Sequence, residues 1–300
     1  MTGLLKSFVP GIDRHLKNFR TACGLPTCHN TQLMRSIPGS RPGIRVGSAW
    51  YCCVDCFAMA ARTPLERLSS RQVVEIPRYP RLSLGLFLMS KGYLTAEQLR
   101  VATAQSRLLD EEIEGTLVKL GMVTERQFAA ARSAQWGYPV LAPEYVGQMV
   151  EADISKTILD ASQAAPLHYS HTARRILLGF SSRVDHTVLE TIEETTGCRV
   201  EPCFITPTTF EEQMERVASP PDYEEVVIDD PGSPDKMART VGQVAVQVAV
   251  REATFGQCRN FVLVRVAGKR GKADIIFRMR HNADMEMGEQ SGIFKEAIAV

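Results

Sequence analysis

Apolar residues fall at helical spacing twice between residues 83 and 136, and the second set repeats the first. Gly92-Tyr93-Leu94-Thr95-Ala96-Glu97-Gln98-Leu99 recurs 29 residues later as Gly121-Met122-Val123-Thr124-Glu125-Arg126-Gln127-Phe128. Ahead of the glycines lie Leu84, Leu88 and Met89, then Ile113, Leu117 and Leu120. After them come Leu99 and Ala102, then Phe128 and Ala131. Spacings of three and four place each set on one helix face. A glycine ends a helix readily because it tolerates the left-handed conformation, and Thr-x-x-Gln is a capping box that starts the next one. The pattern therefore predicts four short helices over 81–140. They pack as two related hairpins, neither of which can bury its apolar face alone.

Beyond residue 140 the period changes. Residues 165–170 and 175–180 read as strands around a short turn, 185–196 as a helix and 199–205 as a third strand. Thr206-Pro207 then opens a last helix, with a capping hydroxyl followed by proline at the first helical position. Together these make a small α/β layer over 141–216. Residues 217–236 hold five prolines and glycines besides Asp222, Glu224, Glu225, Asp229 and Asp230, a composition that reads as an acidic linker. A helical pattern over 237–255 and two strands, 260–267 and 273–279, make a helix plus β-hairpin over 237–280, turning at Gly268-Lys269-Arg270-Gly271. Residues 281–300 read as a tail. The expected fold class is α+β, in several domains.

The N-terminal part has no comparable apolar pattern. It has cysteines: Cys23, Cys28, Cys52, Cys53 and Cys56, five of the eight in the chain. After a tail at 1–18, Cys23-Gly-Leu-Pro-Thr-Cys28 is a tight turn. Trp50-Tyr51-Cys52-Cys53-Val54-Asp55-Cys56 runs into a helix start. Two short-spaced pairs suit a tetrahedral zinc site, and a metal would supply the stability that a Pro-, Gly- and Arg-rich segment cannot draw from a core. The second pair can be chosen as Cys53 with Cys56 or as Cys52 with Cys56. The aromatic residues before Cys52 and the helix after Cys56 favour the latter, as in small treble-clef fingers. The expected Zn²⁺ ligands are Cys23, Cys28, Cys52 and Cys56, with Cys53 and His29 in reserve. Four thiolates leave no open position for a reactive water, so the role is structural. The knuckle spans 19–66 and a linker 67–80.

Leu84-Gly85-x-x-Leu88-x-x-x-Gly92-Tyr93-Leu94-Thr95 resembles the N-terminal domain of type II secretion and type IV pilus assembly ATPases. Gln135-Trp136-Gly137-Tyr138-Pro139-Val140 resembles that family's exit from its helices, and the α/β layer follows as it does there. The helix plus β-hairpin is similar to the start of the family's second domain. The resemblance implies partner docking, since this domain connects the motor to an inner-membrane platform. It also raises cyclic di-GMP, which some members bind through motifs that open with Arg-Leu-Gly. Here the two copies read Ser83-Leu84-Gly85 and Glu112-Ile113-Glu114. Both arginines are missing, and each lost charge-assisted contact costs about 1.5–3 kcal/mol, so tight binding is not expected. Arg81, offset by two residues, points elsewhere.

Composition removes further classes. The net charge is +1 and no apolar run approaches bilayer length. Nothing in residues 1–20 reads as a secretory signal, so the expected compartment is the cytoplasm. Residues 1–80 do carry eleven Lys and Arg against four Asp and Glu. A basic zinc region with Arg35, Arg41 and Arg45 beside Trp50 and Tyr51 would suit nucleic acid, a reading that ranks below protein docking. Gly271-Lys272 is followed by alanine and lacks the earlier glycine of a phosphate-binding loop. His168 and His171, three apart on a strand, face opposite ways, and Cys198, Cys203 and Cys258 read as buried small apolar residues. The chain is expected to be a non-catalytic interaction protein.

Overall fold

The computed structural model describes residues 20–33, 43–71, 84–111, 113–142, 149–170 and 172–279. The tails at 1–18 and 281–300, most of the 67–80 linker, Arg35, Arg41, Arg81, Ser83, Glu112 and His171 lie outside them. The chain divides into two units, one formed by 74–221 and the other by the segments before and after it.

The second unit starts with two small hairpins: β1 (Arg20–Ala22) with β2 (Thr31–Leu33), and β3 (Ile44–Val46) with β4 (Ala49–Tyr51). Helix α1 (Val54–Ser70) follows directly. Its buried residues Phe57, Ala61, Leu65 and Leu68 recur at three and four, the stripe of an amphipathic helix.

The inserted unit contains the repeat. Helices α2 (Leu84–Ser90), α3 (Ala96–Leu109), α4 (Ile113–Lys119) and α5 (Glu125–Trp136) follow the predicted pattern. Both capping boxes form. Thr95 and Thr124 each accept from the backbone N–H of the glutamine three residues on, at 3.2 Å, and each backbone N–H returns a bond of 2.9 Å to that glutamine's Oε1. Gly92 (φ 71°) and Gly121 (φ 64°) take the left-handed turn before each box. The core is built from repeat-related residues: Leu88 with Leu117, Leu94 with Val123, and Ala102 with Ala131. Past the helices come β5 (Val150–Glu151), α6 (Lys156–Ala161), β6 (Ala164–Ser170), β7 (Arg175–Phe180), α7 (His186–Thr196), β8 (Arg199–Phe204), α8 (Pro207–Arg216) and β9 (Val217–Ala218). Strands β6, β7 and β8 form one sheet, antiparallel then parallel. The exit segment joins it through Leu141 N to Phe204 O (2.9 Å) and Phe204 N to Pro139 O (2.8 Å).

Two parts of the sequence reading are corrected beyond this point. Residues 217–236 are not a linker: besides β9 they contain β10 (Tyr223–Asp229), paired in parallel with a later strand. Its acidic residues lie on a sheet edge, where charge is tolerated, while Val226 and Ile228 pack on the core. The helix expected over 237–255 is instead α9 (Pro234–Gln247) followed by β11 (Val250–Cys258). Ala249 turns the chain with φ 51°, and the hydrophobic run continues with strand periodicity. Strands β12 (Phe261–Gly268) and β13 (Lys272–Arg278) complete the element list among the described residues.

These late strands do not stand apart from the cysteine region, as the sequence partition had it. One six-stranded sheet runs β10-β13-β12-β11-β3-β4, so the knuckle hairpin forms its far edge. Val262, Val264, Val266, Ala273, Ile275 and Phe277 share one core with the buried stripe of α1 and with Met237, Val241 and Val244 of α9. The two helices lie close: a Cβ on Gly242 would stand 3.1 Å from that of Ala58. Segments far apart in sequence thus bury each other's apolar faces, a contact pattern that local periodicity does not reveal.

With alternation along the strands, Arg265 and Asp274 point away from that core yet are buried. Arg265 donates twice to the carboxylate, 2.7 Å each, and the Tyr223 hydroxyl donates to it at 2.8 Å. Burial and the Asp274 charge hold the Tyr223 hydroxyl well above its ordinary value, so it stays a donor. Asp274→Ala takes the bidentate carboxylate from a buried guanidinium and should cost about 3–5 kcal/mol of stability. Asp229→Ala removes only the exposed pair with Arg278 and should cost less than about 1 kcal/mol. Urea unfolding of the two variants checks this, and equal midpoints would refute the assignment.

Candidate metal centre

The cysteines converge from two turns. In the first, Cys28 N donates to Leu25 O (2.9 Å) and Cys23 N to Asn30 O (2.8 Å), folding the loop back on itself. Gly24 N then donates to Trp50 O (2.7 Å), fastening that loop to β4. Glycine is required at two close approaches. A Cβ on Gly24 would touch the Tyr51 ring at 3.1 Å, and one on Gly43 would sit 2.0 Å from Trp50 Nε1. Trp50, Cys23 and Cys56 are buried together, with Leu25, Cys28, Tyr51 and Cys52 packed around them.

The second turn ends at α1. Cys52 precedes the helix, Cys53 is its N-cap with φ −154°, and Cys56 falls in its first turn and is buried. The sulfurs of Cys23, Cys28, Cys52 and Cys56 all lie within 4.8 Å of one another. Cys28 and Cys52 are 3.7 Å apart, and Cys52 and Cys56 3.6 Å. Metal–sulfur bonds of about 2.3 Å in a tetrahedron require sulfurs about 3.8 Å apart, so these four residues fit a metal ion. Cys53 and His29 are not in the group. Cys53 is exposed, its sulfur 3.8 Å from that of Cys52. Sequence reasoning missed Asn30, whose Nδ2 donates to Cys52 Sγ at 3.3 Å. The only signal was a polar residue two positions after Cys28.

The thiols do not titrate alike. Burial and the surrounding cysteine side chains push the Cys56 thiol well above its ordinary value. Burial also works to raise Cys23, but the N–H groups of Leu25 and Cys52 outweigh it and the thiol sits below its ordinary value. Four thiolates this close repel one another, and a divalent cation removes that repulsion. Elsewhere Cys198, Cys203 and Cys258 are buried, and burial alone pushes the Cys203 thiol up to about 12. They are packing residues.

No protein-family model matches the chain. Among solved structures it is similar to MshE with cdg (17% identity, 45% of this chain and 99% of that one, TM-score 0.38) and to the N-terminal domain of XpsE (19%, 45% and 92%, TM-score 0.36). Among curated proteins it is 28% identical over 133 residues to the type IV pilus assembly ATPase PilB of Thermus thermophilus. This chain resembles the N-terminal module of secretion and pilus ATPases. The match takes in 42% of this chain but only 14% of PilB.

Within the module the two motif copies have diverged. In the first, Gly85 permits close packing, since a Cβ there would lie 2.9 Å from Leu99 Cδ1. At the same position of the second copy Glu114 forms an ion pair with the buried Arg132. Arg132 also donates to Ser181 O (2.7 Å) and lies 4.7 Å over the Phe128 ring. Glu125 in turn accepts from Thr208 Oγ1 (3.0 Å). Arg132 and Glu125 thus tie the helices to the α/β layer, and Glu114 holds Arg132 in place.

Cys52→Ser should weaken metal binding by more than about a hundredfold, since losing even an outer-shell partner costs 10–100-fold. Cys53→Ser should change it little. Affinity in both should fall as pH is lowered, because protons compete for the sulfurs. Chelator competition at several pH values measures this; equal losses in the two variants would exclude the assigned ligand set.

Proposed function

We propose that the chain is a non-catalytic, cytoplasmic protein–protein interaction module that carries one structural zinc ion and serves a type II secretion or type IV pilus apparatus. The observation that carries this reading is the sequence match to a pilus ATPase, which covers 42% of this chain. The zinc assignment rests on the donor set: four clustered sulfurs select zinc over harder ions, and four ligands close the site to substrate.

The alternatives have less support. Stacking of bases on the knuckle needs accessible rings, whereas Trp50 is 5% exposed, and Arg45 faces Glu252 across the sheet. Cyclic di-GMP would meet Glu114 where the binding motif has glycine, and that carboxylate is engaged by Arg132. No described helix is long and apolar enough to cross a membrane.

Purification of the native chain from its own host tests the proposal. Co-purification of a secretion or pilus assembly protein at near-equal amounts, about one zinc per chain and no ATP turnover above background are expected. Nucleic acid as the companion, or ATP hydrolysis abolished by substitution of a residue of this chain, would overturn it.

A further inference from the structure

The tetrahedron uses four of five clustered cysteines, and the fifth is the accessible one. Cys53 is exposed, whereas Cys56 is buried. The Cys53 and Cys56 sulfurs both lie beside that of Cys52, at 3.8 and 3.6 Å. We propose that Cys53 is a thiol modification site at which a hydroperoxide reacts, and from which Cys56 is captured as a disulfide at the expense of the metal. The second half of this statement rests on the metal centre proposed above.

Backbone geometry selects the partner. Residues joined by a trans peptide have Cα atoms about 3.8 Å apart, short of the roughly 4.4–6.8 Å that disulfides span, so Cys52 and Cys53 bond only with distortion. An N-cap and the residue three further along in the helix are about 5 Å apart, within that range. Cys53 and Cys56 hold this relation at the start of α1.

The Cys53 thiolate attacks the peroxide O–O bond, taking one oxygen as sulfenic acid and releasing an alkoxide, which is protonated to the alcohol. The Cys56 thiolate then attacks the Cys53 sulfur, forming the S–S bond and expelling hydroxide, which leaves as water. Two thiols are oxidised by two electrons and one peroxide is reduced. Cys56 can no longer act as a thiolate ligand, so the ion is left with three sulfurs. The position next to Phe57, the first core residue of α1, loses its anchor.

Hydrogen peroxide treatment of the full chain, followed with a colorimetric zinc indicator and by disulfide peptide mapping, tests this. The wild type should release its metal and yield a Cys53–Cys56 disulfide. Cys53→Ser, which keeps all four ligands, should start with equal metal and release it more than about tenfold slower. Release at the same rate in that variant, or a disulfide that omits Cys53, would overturn the proposal. A chelated sample separates the two readings: the same disulfide should form without metal, so the thiol pair is decided even where the purified chain carries no zinc. Its absence there counts against the pair.

Discussion

Four sulfurs from two turns meet where α1 begins, and a metal bound there would fix that placement for the sheet unit. Cys52 and Cys56 bracket the helix start, while Cys23 and Cys28 come from a loop bonded to the neighbouring strand. A hairpin of three-residue strands has too little apolar surface to persist in water unaided. A metal held by the four sulfurs would cross-link it to a 17-residue helix, and the hairpin forms an edge of a six-stranded sheet. The helix buries Phe57 and Leu65 almost completely, each contributing about 1.5–3 kcal/mol. The small sulfur cluster therefore sits at the start of a much larger hydrophobic contact.

The inserted unit meets the same problem through its repeat. Each hairpin of short helices is incomplete, and the second supplies the missing face through residues equivalent to those of the first. The copies differ at one motif position: Gly85 permits the close approach to Leu99, while Glu114 pairs with Arg132, which also donates to Ser181 O in the α/β layer. The repeat is thus reinforced internally at one of its own motif positions.

Local signals made much of this legible. The repeat, both capping boxes, the glycine turns and the strands of the α/β layer all depend on residues within a few positions of one another. So do the two halves of the cysteine cluster, and the aromatic pair before Cys52 pointed towards the sulfur that joins the group. What escaped was non-local. Tyr223–Asp229 alternates too weakly to read as a strand until β13 is beside it. The continuation of α9 into β11 is set by a turn at Ala249, a residue with no turn preference. That α1 and α9 share a core follows from complementary apolar stripes some 180 residues apart, which no spacing rule connects.

Metal bound at the sulfur cluster should anchor α1 to the sheet. Amide hydrogen exchange of the full chain, with metal bound and after chelation, tests it most directly. After chelation, protection should fall along α1 and at the β3–β11 pairing, while the helical repeat, which has its own core, should keep its protection. Unchanged exchange in α1 after the metal is removed would contradict it.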